Sequence, residues 1–316
     1  MAVTLPQARL NVQDDLQAGI IDEFAKSSFI MNNIPFADVV SPTGGGATLT
    51  YAYTRLVTQP TAEFRKVNAE YSTHEVEKQR YATDLKVFGG AFEIDRLIAD
   101  MGGIVDEVML QASQKAKAVA ALFTDTIING NTSVDEDVFD GLDVALTGSD
   151  TEIEANIDLS TSDAVDTNYV KFLDALDEFL LSLDRTPSVL LMNAKGLAKM
   201  RAVARRAGMY QTSKDEWGHQ VEYYGSIPMV DAGAKAGSND PIIATDAEGN
   251  TSIYAISFGM DAFHALSMAG KAPVEMWMPD FSTAGAVKKG EIEMVAGCAL
   301  KTTKSCGVLR NIKVSA

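Results

Sequence analysis

Residues 105–129 read VDEVMLQASQKAKAVAALFTDTIIN. Apolar residues recur at 105, 108, 109, 112, 116, 119, 120, 123 and 127. That spacing lays one apolar stripe along a helix. Asp106 and Glu107 fall in the first turn, where the helix dipole favours anions, and Asn129-Gly130 supplies a stop. At about 1.5 Å per residue the rod is about 36 Å long, more than an ordinary globular domain uses.

On the N-terminal side, Ala91-Phe-Glu-Ile-Asp95 leads through Gly102-Gly103 into this helix, and Gly89-Gly90 is expected to end what comes before. Residues 47–88 read as a long β-ribbon. Thr48–Thr54 and Tyr81–Phe88 alternate polar and apolar residues and are rich in β-formers, with Tyr51 and Tyr53 on one face. Between them runs a polar tract, including Thr58-Gln-Pro-Thr61 and Asn68–His74. A two-stranded ribbon is marginal alone in water, so it is expected to lean on something outside its own domain. Residues 1–46 read as an arm with a helical stretch at Val12–Ser27, and Gly44-Gly45-Gly46 as a hinge.

Beyond the long helix, residues 131–167 look loop-like and acidic. Tyr169–Leu183 has helical spacing, Ser188–Met192 reads as a strand, and Ala194–Ala207 as a basic helix stopped by Gly208. This order suggests an α/β layer. The remainder reads as strands at Val221–Tyr224, Ile227–Val230, Ile242–Thr245, Ile253–Phe258, Ala262–Ser267, Val274–Trp277, Ile292–Thr302 and Cys306–Val314.

The 316 residues carry a formal net charge of −16. This argues against a duplex-DNA or RNA binder, whose affinity comes from cationic contacts to phosphate. The longest apolar run is far too short to span a membrane. Two cysteines, Cys298 and Cys306, exclude a disulfide scaffold. The first residues lack a signal peptide's basic head and apolar core, so a reducing cytoplasm is the expected compartment.

No catalytic constellation stands out. His74, His219 and His264 lie in unrelated contexts, and Gly44-Gly45-Gly46 lacks the Lys-Ser/Thr of a phosphate loop. Oxygen side chains alternate from Asn129 to Asp140 as in a calcium loop. But Val134 stands where such a loop turns on glycine, and Asp140 replaces its bidentate glutamate. The stretch reads as an acidic turn. The competing enzyme reading, a metal-dependent activity built on Asp135, Asp137 and Asp140, lacks a base, nucleophile or cofactor loop. No catalytic, cofactor-binding or metal residue is assigned.

Charge is distributed unevenly. Residues 131–185 hold fifteen acidic and two basic side chains. Helix 194–207 carries Lys195, Lys199, Arg201, Arg205 and Arg206 without an acid. Solvated faces would explain this. So would an acidic edge meeting a basic edge on the next copy, a head-to-tail contact that closes into rings. Candidate inter-subunit residues are Arg55, Arg65, Lys66, Lys78 and Arg80 on the ribbon, with Lys195, Lys199, Arg201, Arg205 and Arg206 on the helix.

The order of these parts resembles the major capsid proteins of tailed bacteriophages, with the α+β Hong Kong 97-type capsid fold. Leu5-Pro-Gln-Ala-Arg9, Ala18-Gly-Ile-Ile-Asp22 and Ile34-Pro-Phe36 look like that family's N-terminal arm, and Thr48–Phe88 like its extended loop. Gly89-Gly-Ala-Phe-Glu-Ile-Asp-Arg96 with the helix at 105–129 looks like the entry to its spine helix, and Phe139-Asp-Gly-Leu142 like the turn after it. Ile253–Gly259, Val274–Trp277 and Ile292–Thr302 resemble its late strands.

The resemblance implies an arm at 1–46, an extended loop at 47–88, a peripheral domain at 89–142 and 257–316, and an axial domain at 143–256. It implies pentamers and hexamers in an icosahedral shell around DNA, no sequence-specific DNA contact and no membrane. The implied setting is a virion assembled in the host cytoplasm. About 45 residues precede the loop, so a separate scaffolding protein is expected, with a portal and a decoration protein as further partners. Lys66 and Lys78 lie where some relatives form isopeptide crosslinks. The strand Glu291–Thr303 has no asparagine, so no covalent crosslinking is expected. An encapsulin-like compartment shell of the same fold is the alternative.

Overall fold

The ribbon, the long helix and the late strands are built around one central strand, β13 (Val287–Leu300). The computed structural model describes residues 29–41, 48–58, 60–73, 75–101, 107–208, 211–214, 220–238 and 240–315. The expected helix at Val12–Ser27, the glycine run 44–46, His74 and His219 lie outside these.

One edge of β13 carries β4 (Lys86–Asp95), paired from Val287↔Asp95 to Ala296↔Lys86. The other edge carries β12 (Val274–Trp277) and then β11 (Phe263–Met268). Strand β1 (Phe36–Val40) adds to β11 in parallel. A short helix α1 (Phe29–Asn33) precedes it, with Ile30, Ile34, Ala37 and Val40 buried. Residues 29–41 are therefore not part of a free arm. Ile30, Ile34, Ala37 and Val40 find burial within their own chain, while Val39 faces solvent.

Gly89 and Gly90 do not end the ribbon. They lie inside β4, opposite Glu293 and Ile292. A Cβ on Gly89 would stand 2.1 Å from the Ile292 carbonyl oxygen, so the glycine serves close strand approach rather than a turn. The ribbon proper ends earlier, with β2 (Thr50–Leu56) antiparallel to β3 (Lys78–Asp84).

After α2 (Arg96–Asp100) comes the long helix α3 (Glu107–Asn129), 23 residues and about 35 Å. Its buried residues crowd the C-terminal half: Val119, Ala121, Phe123, Thr124, Ile127 and Ile128, against Ala112 alone before them. Phe123 anchors it, with Phe36 and Phe88 stacked at 6.0 and 5.9 Å and Phe139 edge-on at 6.2 Å. The turn after α3 closes where the Gly141 amide donates to the Gly130 carbonyl at 2.8 Å. A Cβ on either glycine would meet backbone oxygens at 2.7 Å or less.

A second sheet has the order β5 (Glu152–Asp158), β14 (Cys306–Lys313), β10 (Asn250–Ile256), β6 (Val189–Met192), β9 (Ile227–Asp231), β8 (Gln220–Tyr224), β7 (Gln211–Lys214). Alternation divides its side chains. Val189, Leu191, Tyr254, Ile256 and Val308 join α3 and the first sheet in one core. Leu190, Met192, Ile253, Ala255 and Leu309 pack under α5 (Ser162–Leu181) and α6 (Ala194–Ala207) in another.

Residues 131–167 hold more structure than their composition suggested. They contain α4 (Leu142–Leu146), β5 and the first turns of α5. Residues 242–245 form no strand. Their carbonyls are taken by side chains instead, Ile242 by Asn129 and Ile243 by Asn193. Residues 306–313, grouped at first with the peripheral region, pair with β5 and β10 and so belong to the second sheet.

Candidate functional site

The ribbon divides into a seated root and an exposed tip. At the root, Tyr53 donates its hydroxyl proton to the Leu300 carbonyl at 2.8 Å, and burial pushes its phenol pKa up. Arg55 donates to the carbonyls of Leu300 at 2.6 Å and Lys301 at 2.9 Å. Its guanidinium lies over the Tyr81 ring at 4.2 Å, and Tyr81 stacks on Tyr53. Tyr51 and Tyr53 cover a small core of Ala37, Val40, Leu85, Leu266 and Ala299.

Past Leu56 and Lys78 the ladder gives way to a loop held by polar contacts. Val57 donates to the Glu77 carbonyl, and the Glu77 amide to the Thr58 hydroxyl. Glu63 accepts from the amide and hydroxyl of Ser72 at 2.7 and 2.6 Å, which lowers its carboxyl pKa. Arg65 donates to the Ala69 carbonyl and lies over the Tyr71 ring. These contacts shape the tip but bury nothing. Phe64 is 105% exposed, Val67 89% and Tyr71 60%.

Of the candidate contact residues on the ribbon, Arg65, Lys66, Lys78 and Arg80 are exposed, and Arg55 is engaged with its own chain. On α6 the Asn193 side chain caps the N-terminus by accepting from the Gly196 amide, and Gly208 in the left-handed region ends it. Lys195 and Arg205 are exposed. Lys199, Arg201 and Arg206 each have a named partner in the chain. Lys199 donates to the Ser160 carbonyl at 2.6 Å. Arg201 reaches both carboxylate oxygens of the buried Glu222, at 2.6 and 2.8 Å. Arg206 pairs with Asp166 and donates to the Ser162 hydroxyl. Part of the acid–base complementarity in the sequence is thus satisfied inside one molecule, between α6 and the start of α5.

The same holds at Arg310, which pairs with Asp143 at 2.7 Å and with Glu152. Tyr254 donates to that Asp143 at 2.8 Å, and burial followed by the Asp143 charge raises its pKa. This joins α4 to the second sheet. Sequence reasoning missed the cluster because Tyr254 lies 111 positions from Asp143 and Arg310 lies 158 from Glu152.

The acidic turn binds itself. Asp140 accepts from the Thr132 amide and hydroxyl, Asp135 from the Asp137 amide, and Asn131 from the Ser133 amide. Among the described residues no group of three or more histidine, cysteine, aspartate or glutamate side chains is placed to hold a metal ion. No helix among them is long and apolar enough to cross a membrane.

No family model matches the chain, and no curated protein matches it. Solved structures do. The encapsulin of the holo-SrpI complex from Synechococcus elongatus superposes with a TM-score of 0.67 at 13% identity, covering 100% of this chain and 98% of that one. A chain of Mycobacterium phage Cain gives 0.63 at 14% identity, with both chains covered completely. The capsid of a native GTA particle gives 0.61 at 13% identity over 97% of this chain and 96% of that one. The chain has the Hong Kong 97-type capsid fold. In the terms of that fold, α3 is the spine helix and β2 with β3 forms the base of the extended loop.

Proposed function

We propose that this chain is a major capsid protein, a structural subunit that assembles with copies of itself into an icosahedral head shell around phage DNA. One observation carries the reading. The tip of the extended loop is folded by its own polar contacts yet leaves Phe64, Val67 and Tyr71 in water. A soluble monomer gains nothing from holding such residues at the end of a two-stranded ribbon. A sister subunit beneath the tip would bury them. Full-length coverage of phage capsid chains supports the same reading.

The role is mechanical rather than catalytic. Many weak contacts linked through one shell act at high effective concentration. Each subunit would bury more than a standard interface of roughly 1,600 Å², spread over several neighbours. The net charge of −16 keeps the lining from adhering to packed DNA. Assembly in the host cytoplasm, a portal at one vertex and pentameric and hexameric rings belong to this proposal. So do ring contacts through the exposed Lys195 and Arg205 of α6.

A second reading, an encapsulin-like compartment shell, is favoured by the encapsulin superposition. The test is negative-stain microscopy of the purified protein with an assay for enclosed nucleic acid. Closed shells, tubes or rings are expected. Particles from native infection should hold DNA, whereas cargo protein without nucleic acid would select the compartment reading. A monomer at all concentrations would refute both.

A further inference from the structure

The root of the ribbon rests on a histidine. His264 lies in β11 opposite Ala299 of β13, fully buried at 0% exposure. Neither of its ring nitrogens has a hydrogen-bond partner. It shares a sheet face with Leu266 and Ala299, the face that Tyr51 and Tyr53 of the ribbon cover. The Tyr51 ring meets the imidazole edge-on, with centroids 6.3 Å apart at 80°.

A neutral imidazole tolerates this site, with the Ala262 carbonyl acting on the ring from outside hydrogen-bond geometry. An imidazolium does not, because it would bring an unpaired charge under an aromatic cover. We propose that His264 is a proton-operated latch for the extended loop: neutral while the root is seated, and protonated when the root lifts.

The charged surroundings agree. The Lys301 ammonium, at the end of β13, acts against protonation. The Asp261 carboxylate, before β11, favours it. Arg55 of β2 is held by the Leu300 and Lys301 carbonyls, and Asp38 of β1 accepts from the Ser267 hydroxyl. Tyr51 and Tyr53 of β2 present phenols. Desolvation first, and Lys301 second, hold the histidine below its ordinary value of 6.5, while the Ala262 carbonyl and Asp261 oppose this by less.

The sign follows from linkage. The lifted state binds a proton at the ordinary value, and the seated state only at lower pH. Seating is therefore fully stable above about 6.5 and weakens as pH falls through the interval, by up to about tenfold per pH unit.

The test uses the full-length, unassembled chain at low concentration, so it is independent of the shell role. Hydrogen–deuterium exchange is followed in peptides covering 50–56 and 78–84 from pH 7.5 to 5.0, corrected for intrinsic rates. Protection in the wild type should fall by up to about tenfold per pH unit below about 6.5. His264→Leu should be flat, and Lys301→Gln should show a weaker response. If His264→Leu does not fold, His264→Gln gives the same readout. A flat wild-type profile, or an equal slope in the neutral variant, overturns the latch. So does an imidazole NMR titration at or above 6.5 in the seated state.

Discussion

The tip of the extended loop and the cationic face of α6 both read as surfaces for another copy, and they solve opposite problems. The tip satisfies its polar groups within itself, through Glu63 with Ser72 and Arg65 with Ala69, and leaves its apolar groups in water. Helix α6 buries its apolar groups, Met200, Val203 and Ala204, and engages Lys199, Arg201 and Arg206 with Ser160, Glu222 and Asp166. Unpaired charge is cheap at a surface, and exposed pairs contribute little. Exposed aromatic surface is the larger unmet demand, at about 25 cal/mol per Å². The contrast teaches that a charge imbalance is a weaker pointer to a partner than apolar residues held out on a stiff support.

The comparison can be broken most decisively at the tip. Replacing residues 57–77 by a short turn should abolish closed shells in micrographs and leave the subunit's circular dichroism and thermal midpoint unchanged. Normal particles would refute the tip's assigned role. A finer cut is Phe64→Ser. It should weaken each sister contact by about 2 kcal/mol, about thirtyfold, seen as a raised critical concentration for assembly. Because Phe64 touches nothing in its own chain that excludes water, the monomer's melting should not move.

On α6 the outcome should be reversed. Arg201→Ala leaves Glu222 buried without its guanidinium and should destabilise the monomer by about 1–2 kcal/mol, discounted because the arginine is partly exposed. The exposed Lys195→Glu should leave the monomer's denaturation midpoint alone and show itself only in ring formation. If Arg201→Ala melts normally but assembles poorly, α6 is a contact surface and the intramolecular reading of its charge is wrong.

Smaller effects sharpen the boundary between root and tip. Tyr53→Phe removes one hydrogen bond to Leu300 and should cost ~0.5–1 kcal/mol in urea denaturation. At the tip, the folded carboxyl of Glu63 titrates below its ordinary 4.5. Its support for the loop is complete above that value and disappears as pH falls through the lowered one. NMR shifts of Ser72 should follow that titration, whereas those of Tyr53 should not.

Much of this was legible because it depends on period. The 3.6 spacing of Val119, Phe123 and Ile127 marks the buried stripe of α3, and the alternation around Tyr51 and Tyr53 marks the ribbon. What escaped had a different cause in each case. β5 reads EIEANID, where Ile153, Ala155 and Ile157 alternate with polar residues, a strand signal outweighed by the acidic composition around it. Thr161, whose hydroxyl accepts from the Ala164 amide, announces α5 inside a stretch of loop-like composition. Gly89-Gly90 reads as punctuation, whereas Gly89 answers to the Ile292 backbone across the sheet and Gly90 lies against the Lys115 side chain of α3. Residues 242–245 have strand composition but surrender carbonyls to Asn129 and Asn193, which lie far away in sequence. The ribbon's outward reach was readable. The seating of Arg55 on Leu300 was not, since 245 positions separate them.

Both sheets are completed late. β13 is the spine of the first, and β14 is inserted between β5 and β10 of the second. During synthesis on the ribosome, nothing before residue 287 can close either layer. A chain cut short before that residue would leave β4, β5, β10 and β11 with open strand edges. Strand order thus makes the closing of both layers wait for the segment from Val287 onward.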